Sequence, residues 1–307
     1  MCSIGCSDYS VHRAATEDVF EQGEGAPPVD VLWIVDDSGT MSEEQELLAG
    51  NFSAFAEVLL RSDADFHVGV TTTDIDAEAG ALVGEYLTAD TVDIEATFAA
   101  QAADLGISGS RDEQPLEAAR MALTDPVASD ANAGFLREGA DLQVVVVTDE
   151  DDHSREDVSV YLSALDTVKG DAPWALSAIA GNAPDGCHSA VADAQVATRV
   201  LDAVEQSGGT FASICATDFS PIMTSLALTA SRLSDTFYLS RMPVLSTLEV
   251  RVDDVLIKER ATDGWQYDAG DNAVVFDGYA VPRAGQHVTL TYFDLLGPGD
   301  TGAATTE

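Results

Sequence analysis

The stretch Val29-Asp30-Val31-Leu32-Trp33-Ile34-Val35, followed at once by Asp36-Asp37-Ser38-Gly39-Thr40, decides how this chain folds. Its first half reads as a buried strand and its second as the loop leaving the strand's C-terminal end. Asp36, Ser38 and Thr40 stand at alternate positions, so their oxygens point at one spot. Hard oxygen donors at that spacing suit Mg²⁺, Mn²⁺ or Ca²⁺. Next comes Ser42-Glu43-Glu44-Gln45, a capping-box pattern in which Ser42 caps a helix and Gln45 reaches back to it. Leu48, Phe52, Phe55 and Leu59 continue at three- or four-residue intervals, which predicts a stripe packed on a sheet with the glutamates left in water.

A second run, Val144-Val145-Val146-Val147-Thr148, needs no alternation and reads as a central parallel strand covered on both faces. It ends in Asp149-Glu150-Asp151-Asp152. Four carboxylates in a row at a strand end repel one another unless water or a cation intervenes, and a cation accounts for them economically.

Elsewhere short β runs alternate with helical patterns, as a doubly wound α/β sheet requires. Strands are expected at 66–73, 174–180, 210–215 and 237–239. Helices are expected near 193–206, stopped by Gly208-Gly209, and from Ser220-Pro221 onward. Open sheets of this kind bind ligands beyond the carboxyl ends of their strands, where both acidic loops fall. Past Pro243 the period changes to two, with turns at Asp263-Gly264, Gly270-Asp271-Asn272, Asp277-Gly278 and Ala284-Gly285. This predicts a small antiparallel β domain over 244–296, marginal in stability by itself and expected to pack on the first domain. Residues 297–307 read as a loose tail.

Asp36, Ser38 and Thr40, with Asp149 in Thr148-Asp149-Glu150, resemble the metal-ion-dependent adhesion site of the von Willebrand factor A (VWA) domain family. The resemblance covers roughly residues 27–243. It implies the doubly wound, mostly parallel sheet of that fold over 28–243. The family's middle hydroxyl precedes a helix, and Ser110, five residues before a helical pattern, is its counterpart in Gly109-Ser110-Arg111-Asp112-Glu113-Gln114. The family has threonine there, so the middle ligand lies with Ser110 or a neighbouring acidic residue. The phrases Val31 to Asp36, Val68 to Asp74 and Asp112-Glu113-Gln114 look like a branch of acidic bacterial cell-envelope proteins, often lipoproteins. The resemblance implies a binding or adhesion protein and no enzyme. A divalent cation, Mg²⁺ first with Mn²⁺ or Ca²⁺ as alternatives, would be held by Asp36, Ser38, Thr40, Ser110 and Asp149. Its open position would take a carboxylate of a protein or glycan partner.

Composition sets the surroundings. The 54 acidic residues against 14 basic ones give a net charge of -40, which repels nucleic acid and anionic membrane surfaces. Lysine occurs only at 169 and 258, a surface best tolerated where salt screens self-repulsion. Apolar residues make up 46% of the chain, ample for a core, so this is no disordered acidic tail. An extracytoplasmic place, periplasm or cell surface, follows from the resemblance.

Cys187 and Cys215 read either as a disulfide stapling a loop to a strand, worth roughly 3 to 4 kcal/mol, or as two buried thiols. Cys2 and Cys6 lie at the N-terminus. Small residues before Cys6 resemble the end of a lipoprotein signal, so Cys6 is a candidate for lipidation, with a second disulfide or free thiols as the alternatives. Residues 1–27 would then be a tether to the outer membrane. No segment is long and apolar enough to span a bilayer.

Other residues invite different chemistry. Asp36 followed two residues later by an aspartate would match haloacid dehalogenase-type phosphatases, but Ser38 stands there and cannot protonate a leaving group. His153 has no serine-elbow partner and reads as a loop residue near the metal rim. Asp74 and Asp76 read as strand-end caps or as part of the acidic face. A structural envelope domain with a vestigial site is the third reading.

Overall fold

Among the described residues the first element is strand β1 (Thr16–Glu21), which pairs with residues far along the sequence. The computed structural model describes residues 15–23, 27–77 and 79–294. They divide into two compact units, 27–233 and 15–23 together with 234–294.

The larger unit runs β2 (Val29–Val35), α1 (Ser42–Arg61), β3 (Phe66–Thr72), α2 (Ile94–Leu105), α3 (Pro115–Leu123), β4 (Asp141–Val147), α4 (Val158–Lys169) and β5 (Trp174–Ala180). It continues through the short pair β6 (Cys187–His188) and β7 (Asp193–Ala194), then α5 (Thr198–Ser207), β8 (Phe211–Ser213) and α6 (Ser220–Ser231). Its sheet has the order β3-β2-β4-β5-β8, every neighbour parallel. From β2 the chain steps outward to β3 and then back across to β4, so strand order reverses between β2 and β4. The carboxyl ends of those two strands are therefore the sheet's crevice. This is the VWA-like arrangement that the sequence resemblance implies.

The two faces of the sheet explain the apolar runs. Leu32, Ile34, Val144 and Val146 pack with Leu116 and Leu123 of α3, Tyr161 and Leu165 of α4 and Val200 and Val204 of α5. On the opposite face the Trp33 ring meets Phe55 of α1 and Phe98 of α2 at centroid separations of 5.5 and 6.0 Å. A strand covered on both sides has no position to spare for water, which is why its sequence does not alternate.

The smaller unit adds β9 (Thr236–Tyr238), β10 (Glu249–Val252), β11 (Val255–Ile257), β12 (Trp265–Asp268), β13 (Ala273–Phe276) and β14 (His287–Tyr292). They form a four-stranded sheet, β1-β14-β10-β11, and a three-stranded one, β12-β13-β9, all antiparallel. Phe237 joins the two, with its ring 5.4 Å from Phe20 and 5.5 Å from Phe276.

Several sequence expectations need correcting. Residues 16–21, assigned to a tether, pair along their whole length with β14. Phe237-Tyr238, expected to close the wound sheet, pairs instead with β13, which puts the division between the units near 234 and not 243. The helix expected from 193 begins at Thr198, because Asp193 and Ala194 pair with the Cys187-His188 strand. Helix α2 carries no strong periodic signal and was not anticipated. Ser42 makes no capping bond, Met41 being the residue before the first turn. Cys2, Cys6 and the tail over 297–307 lie outside the described residues.

Candidate metal centre

Strands β2 and β4 lie side by side, and the Asp36 N–H donates to the Val147 carbonyl at 2.9 Å, so their ends are locked together. Asp36 is fully buried. Its Oδ1 accepts from the Ser38 N–H at 2.8 Å and its Oδ2 from the Thr148 hydroxyl at 2.7 Å. Ser38 Oγ and Thr40 Oγ1 are 3.1 Å apart. The Thr40 hydroxyl in turn lowers the pKa of the Asp149 carboxylate against the effect of burial. Asp36, Ser38, Thr40 and Asp149 thus form one connected cluster, with Thr40 exposed at its mouth.

The first loop is held from beneath by α1. Gln45, read in the sequence as part of a capping box, instead donates from Nε2 to the carbonyls of Asp36 at 2.9 Å and Gly106 at 3.0 Å. From the side comes the middle loop, where the Gly109 N–H donates to the Asp37 carbonyl at 2.9 Å. A Cβ at 109 would run into the Asp37 carboxylate, so only glycine lets the two loops approach this closely.

Ser110 is not drawn into the cluster by any hydrogen bond. Its N–H donates to Asp74 Oδ2 at 3.1 Å and its hydroxyl accepts from the Asp112 N–H at 2.9 Å. The inward residue of this loop is Glu113, fully buried, with one carboxylate oxygen accepting from the Thr73 hydroxyl. Burial pushes its carboxyl up to about 8, and the charges of Asp36 and Asp37 add to the shift. Glu44 is also buried, contrary to the expectation that the glutamates of α1 stay in water. Burial, with the charges of Asp149 and Glu43, raises it to about 7. Asp149 is raised to about 6, again by burial first and then by Asp36. Asp36 itself is shifted upward by desolvation, which the bonds from Thr148 and Ser38 oppose.

The rest of the acidic run is structural. Asp151 Oδ1 accepts from the Arg199 N–H at 2.8 Å. Asp152 accepts from Arg199 Nε at 2.9 Å, the Leu116 N–H at 3.1 Å and the Ser154 hydroxyl at 2.6 Å, fastening α3 and α5 to the loop. Asp149 is the member of the run left with a buried carboxylate oxygen that has no hydrogen-bond partner among the described residues. Asp74 Oδ1 accepts from the Asp76 and Ala77 N–H groups, so it serves as a turn cap. His153 stands 3.4 Å from Asp112 on the rim. The expected staple is present: Cys187 and Cys215 are disulfide-bonded with Cα atoms 6.1 Å apart. The strand pair it anchors leads to Gln195, whose N–H donates to the Asp149 carbonyl at 2.8 Å.

Two features test the fit to a cation. Asp149 Oδ1 and Glu113 Oε1 are buried acceptors with no hydrogen-bond partner among the described residues, as is Glu44 Oε2. Such groups are expensive unless something positive satisfies them. On the other side, no group of three or more His, Cys, Asp or Glu side chains among the described residues has the spacing of a finished metal cage. Hydroxyls from Ser38 and Thr40 complete the donor set, and oxygen-only donors of mixed charge fit a hard divalent cation. Phosphoryl transfer finds less support: both oxygens of Asp36 are already engaged as acceptors, which blunts a nucleophile.

Sequence reasoning missed Glu44 and left Glu113 as one of the acidic neighbours that could replace Ser110. Position 44 falls four residues before Leu48, on the apolar stripe itself, and that spacing was the available signal.

No family model matches the chain, and no curated protein does. Solved structures do. A pilus adhesin, SpaC from Lactobacillus rhamnosus GG, aligns over 91% of this chain and 41% of its own at 9% identity and a TM-score of 0.48. A von Willebrand factor type A protein from Catenulispora acidiphila aligns over 96% of this chain and 68% of its own, with 12% identity and a TM-score of 0.39. Proximal thread matrix protein 1 from the mussel byssus, solved with a zinc-occupied adhesion-site motif, aligns over 70% and 48%, with 11% identity and a TM-score of 0.42. The chain thus spans less than half the length of the adhesin and of the byssus protein.

Proposed function

We propose that this protein is a divalent-cation-dependent binding protein of adhesion type. The cation would be held by Asp36, Ser38, Thr40 and Asp149, and from the middle loop by Glu113 in preference to Ser110. The observation carrying this reading is the pair of buried, unpartnered carboxylate oxygens on Asp149 and Glu113, in a cluster where the charge of Asp36 adds to burial in raising both acids. A cation would satisfy both oxygens and offset both charges at once.

Bound there, the cation would supply a positive point at the mouth of the crevice, with a remaining coordination position for a carboxylate from a protein or glycan partner. The chain's own residues orient it. Thr148 and the Ser38 N–H fix Asp36, Gln45 fixes the loop backbone, and exposed Thr40 marks the open side. Mg²⁺ is the first expectation, with Mn²⁺ or Ca²⁺ next, and an extracytoplasmic place at the cell surface suits the disulfide. Anchoring through a lipid on Cys6 belongs to the same reading. Among the described residues no helix is long and apolar enough to cross a membrane.

Thermal unfolding in chelator and in Mg²⁺, Mn²⁺ or Ca²⁺ tests this. A cation at a hundred times its dissociation constant adds about 2.7 kcal/mol, so the midpoint should rise by several degrees. Asp36→Ala and Asp149→Ala should remove the rise. A flat response in the unaltered chain would leave a structural domain with a vestigial site, and phosphate-ester hydrolysis dependent on Asp36 would replace binding with catalysis.

A further inference from the structure

At the amino end of the wound sheet, away from the cation loops, a cleft of about 170 Å³ opens between the last turn of α6 and the starts of β2, β4 and β5. Val29, Pro173 and Ala230 give it apolar walls. The charged residues lining it are Asp141 and Arg232, and these pair with each other at 2.6 Å. Two more polar side chains on the wall are already committed. The Thr229 hydroxyl donates to the Ser225 carbonyl at 3.0 Å, and Trp174 Nε1 donates to Asp166 Oδ1 at 2.8 Å.

What remains is Gln143. Side chains of a strand alternate across its sheet, and Leu142, Val144 and Val146 are packed with α3, α4 and α5. Gln143 therefore projects to the α6 face, beside Val31 of β2 and Ala175 of β5. It is 4% exposed, yet neither Nε2 nor Oε1 has a hydrogen-bond partner among the described residues. No other side chain among them carries two such atoms. Other amides at the same depth are satisfied. Gln22 donates to the Ser234 and Pro282 carbonyls and accepts from the Ser234 N–H. Asn132 donates to the Gly80 and Ala122 carbonyls and accepts from the Leu82 N–H. A buried amide without partners is costly, and one set in the wall of an otherwise apolar cleft is the kind of polar group that orients a ligand.

The geometry points to a binding site for a small uncharged carboxamide. Its compact apolar body lies between Val29, Pro173 and Ala230. Its carbonyl accepts from Gln143 Nε2 and its N–H donates to Gln143 Oε1, so one planar group satisfies both atoms. A space of this volume takes a body about the size of benzene. An ion fits less well, because Asp141 and Arg232 already neutralise each other, and a plain hydrocarbon would leave Gln143 as bare as before. The site shares no residue with the cation cluster and does not rest on it.

Titration of the full chain with benzamide, followed by ligand-detected NMR with toluene and benzoate as controls, tests this. Benzamide should bind with a Kd on the order of 1 mM, in keeping with its few heavy atoms. Toluene and benzoate should bind about tenfold more weakly or worse, the scale of two lost neutral hydrogen bonds. Chelator should change none of these values. Gln143→Leu keeps the bulk and removes the bare amide, so that variant should fold with an equal or higher melting midpoint. It should weaken benzamide about tenfold and bind toluene at least as well as the unaltered chain. In the isotope-labelled protein, the Gln143 side-chain amide signals should move as benzamide is added. Benzamide no tighter than toluene, benzamide binding undiminished in Gln143→Leu, or no binding up to the solubility of the probe would each overturn the inference and leave Gln143 an amide met by water alone.

Discussion

Strands β2 and β4 carry aspartates at both ends of the same sheet, and the two ends treat them differently. At the amino end Asp30, fully buried, accepts from the Arg137 N–H and from Arg137 Nε, each at 2.7 Å. His67 stands 3.8 Å away, Lys169 donates to the Arg137 carbonyl, and Arg232 pairs with Asp141 at 2.6 Å. Burial still holds the Asp30 carboxyl above its ordinary range, with Arg137 pulling it back. At the carboxyl end Asp36, Glu44, Glu113 and Asp149 are buried just as deeply and have hydroxyls and amides for neighbours in place of guanidinium groups. A chain with 14 basic residues spends several of them on the end that must be closed. The end left short of positive charge is the one where the proposed cation would supply it.

The largest effect should come from breaking the closed end. Arg137→Ala leaves Asp30 buried without its partner and also releases the carbonyls of Val29 and Asp65. Removing one member of such a pair costs about 3 to 5 kcal/mol. Chemical denaturation should show that loss equally with and without Mg²⁺, because a cation at the far end of the sheet cannot compensate it. Rescue by Mg²⁺ would mean the two ends are not distinct.

The open end should reveal itself through pH in the chelated protein. Glu113, Glu44 and Asp149 are raised to about 8, 7 and 6 in the folded chain, against roughly 4 for unfolded carboxylates. Between those values the native state binds more protons than the unfolded one, so stability falls as pH rises. The stabilising protons are fully present below about pH 4 and lost by about pH 8. Melting midpoints of the chelated chain should therefore decline across that window, and saturating Mg²⁺ should flatten or reverse the decline. A midpoint that climbs with pH in chelator would contradict the carboxylate cluster.

Both ends of this contrast were only partly legible in the sequence. The runs Val29–Val35 and Val144–Val147 could be read because burial on two faces forbids water-facing positions. Asp36 and Asp149 could be read because they end those runs. Asp30 was overlooked inside an apolar stretch, since nothing local shows that Arg137, more than a hundred residues later, arrives beside it. Strand β1 was unreadable for a related reason. Of its half-buried residues Thr16, Asp18 and Phe20 only the last is apolar, Asp18 being bonded to Tyr292 at 2.6 Å, while Val19 points outward at 57% exposure. That blurs the alternation by which an amphipathic strand announces itself.

The smallest effect distinguishes two neighbours in one loop. Ser110 matches the expected hydroxyl position, yet its oxygen holds the Asp112 N–H, whereas Glu113 turns inward against Thr73. Which residue of such a loop faces the crevice is set by what pins its ends. Here those pins are Gly109 against Asp37 and Pro115 in the first turn of α3, constraints that act in space and not along the sequence. Ser110→Ala should thus cost about 0.5 kcal/mol or less, the scale of a partly exposed local bond, and leave the Mg²⁺-induced rise untouched. Glu113→Gln keeps the shape but removes the charge, so it should shrink that rise while making the chelated protein less dependent on pH. The opposite ranking of the two substitutions, read as paired melting curves with and without Mg²⁺, would return the middle ligand to Ser110 and make Glu113 a buried acid that simply stays protonated.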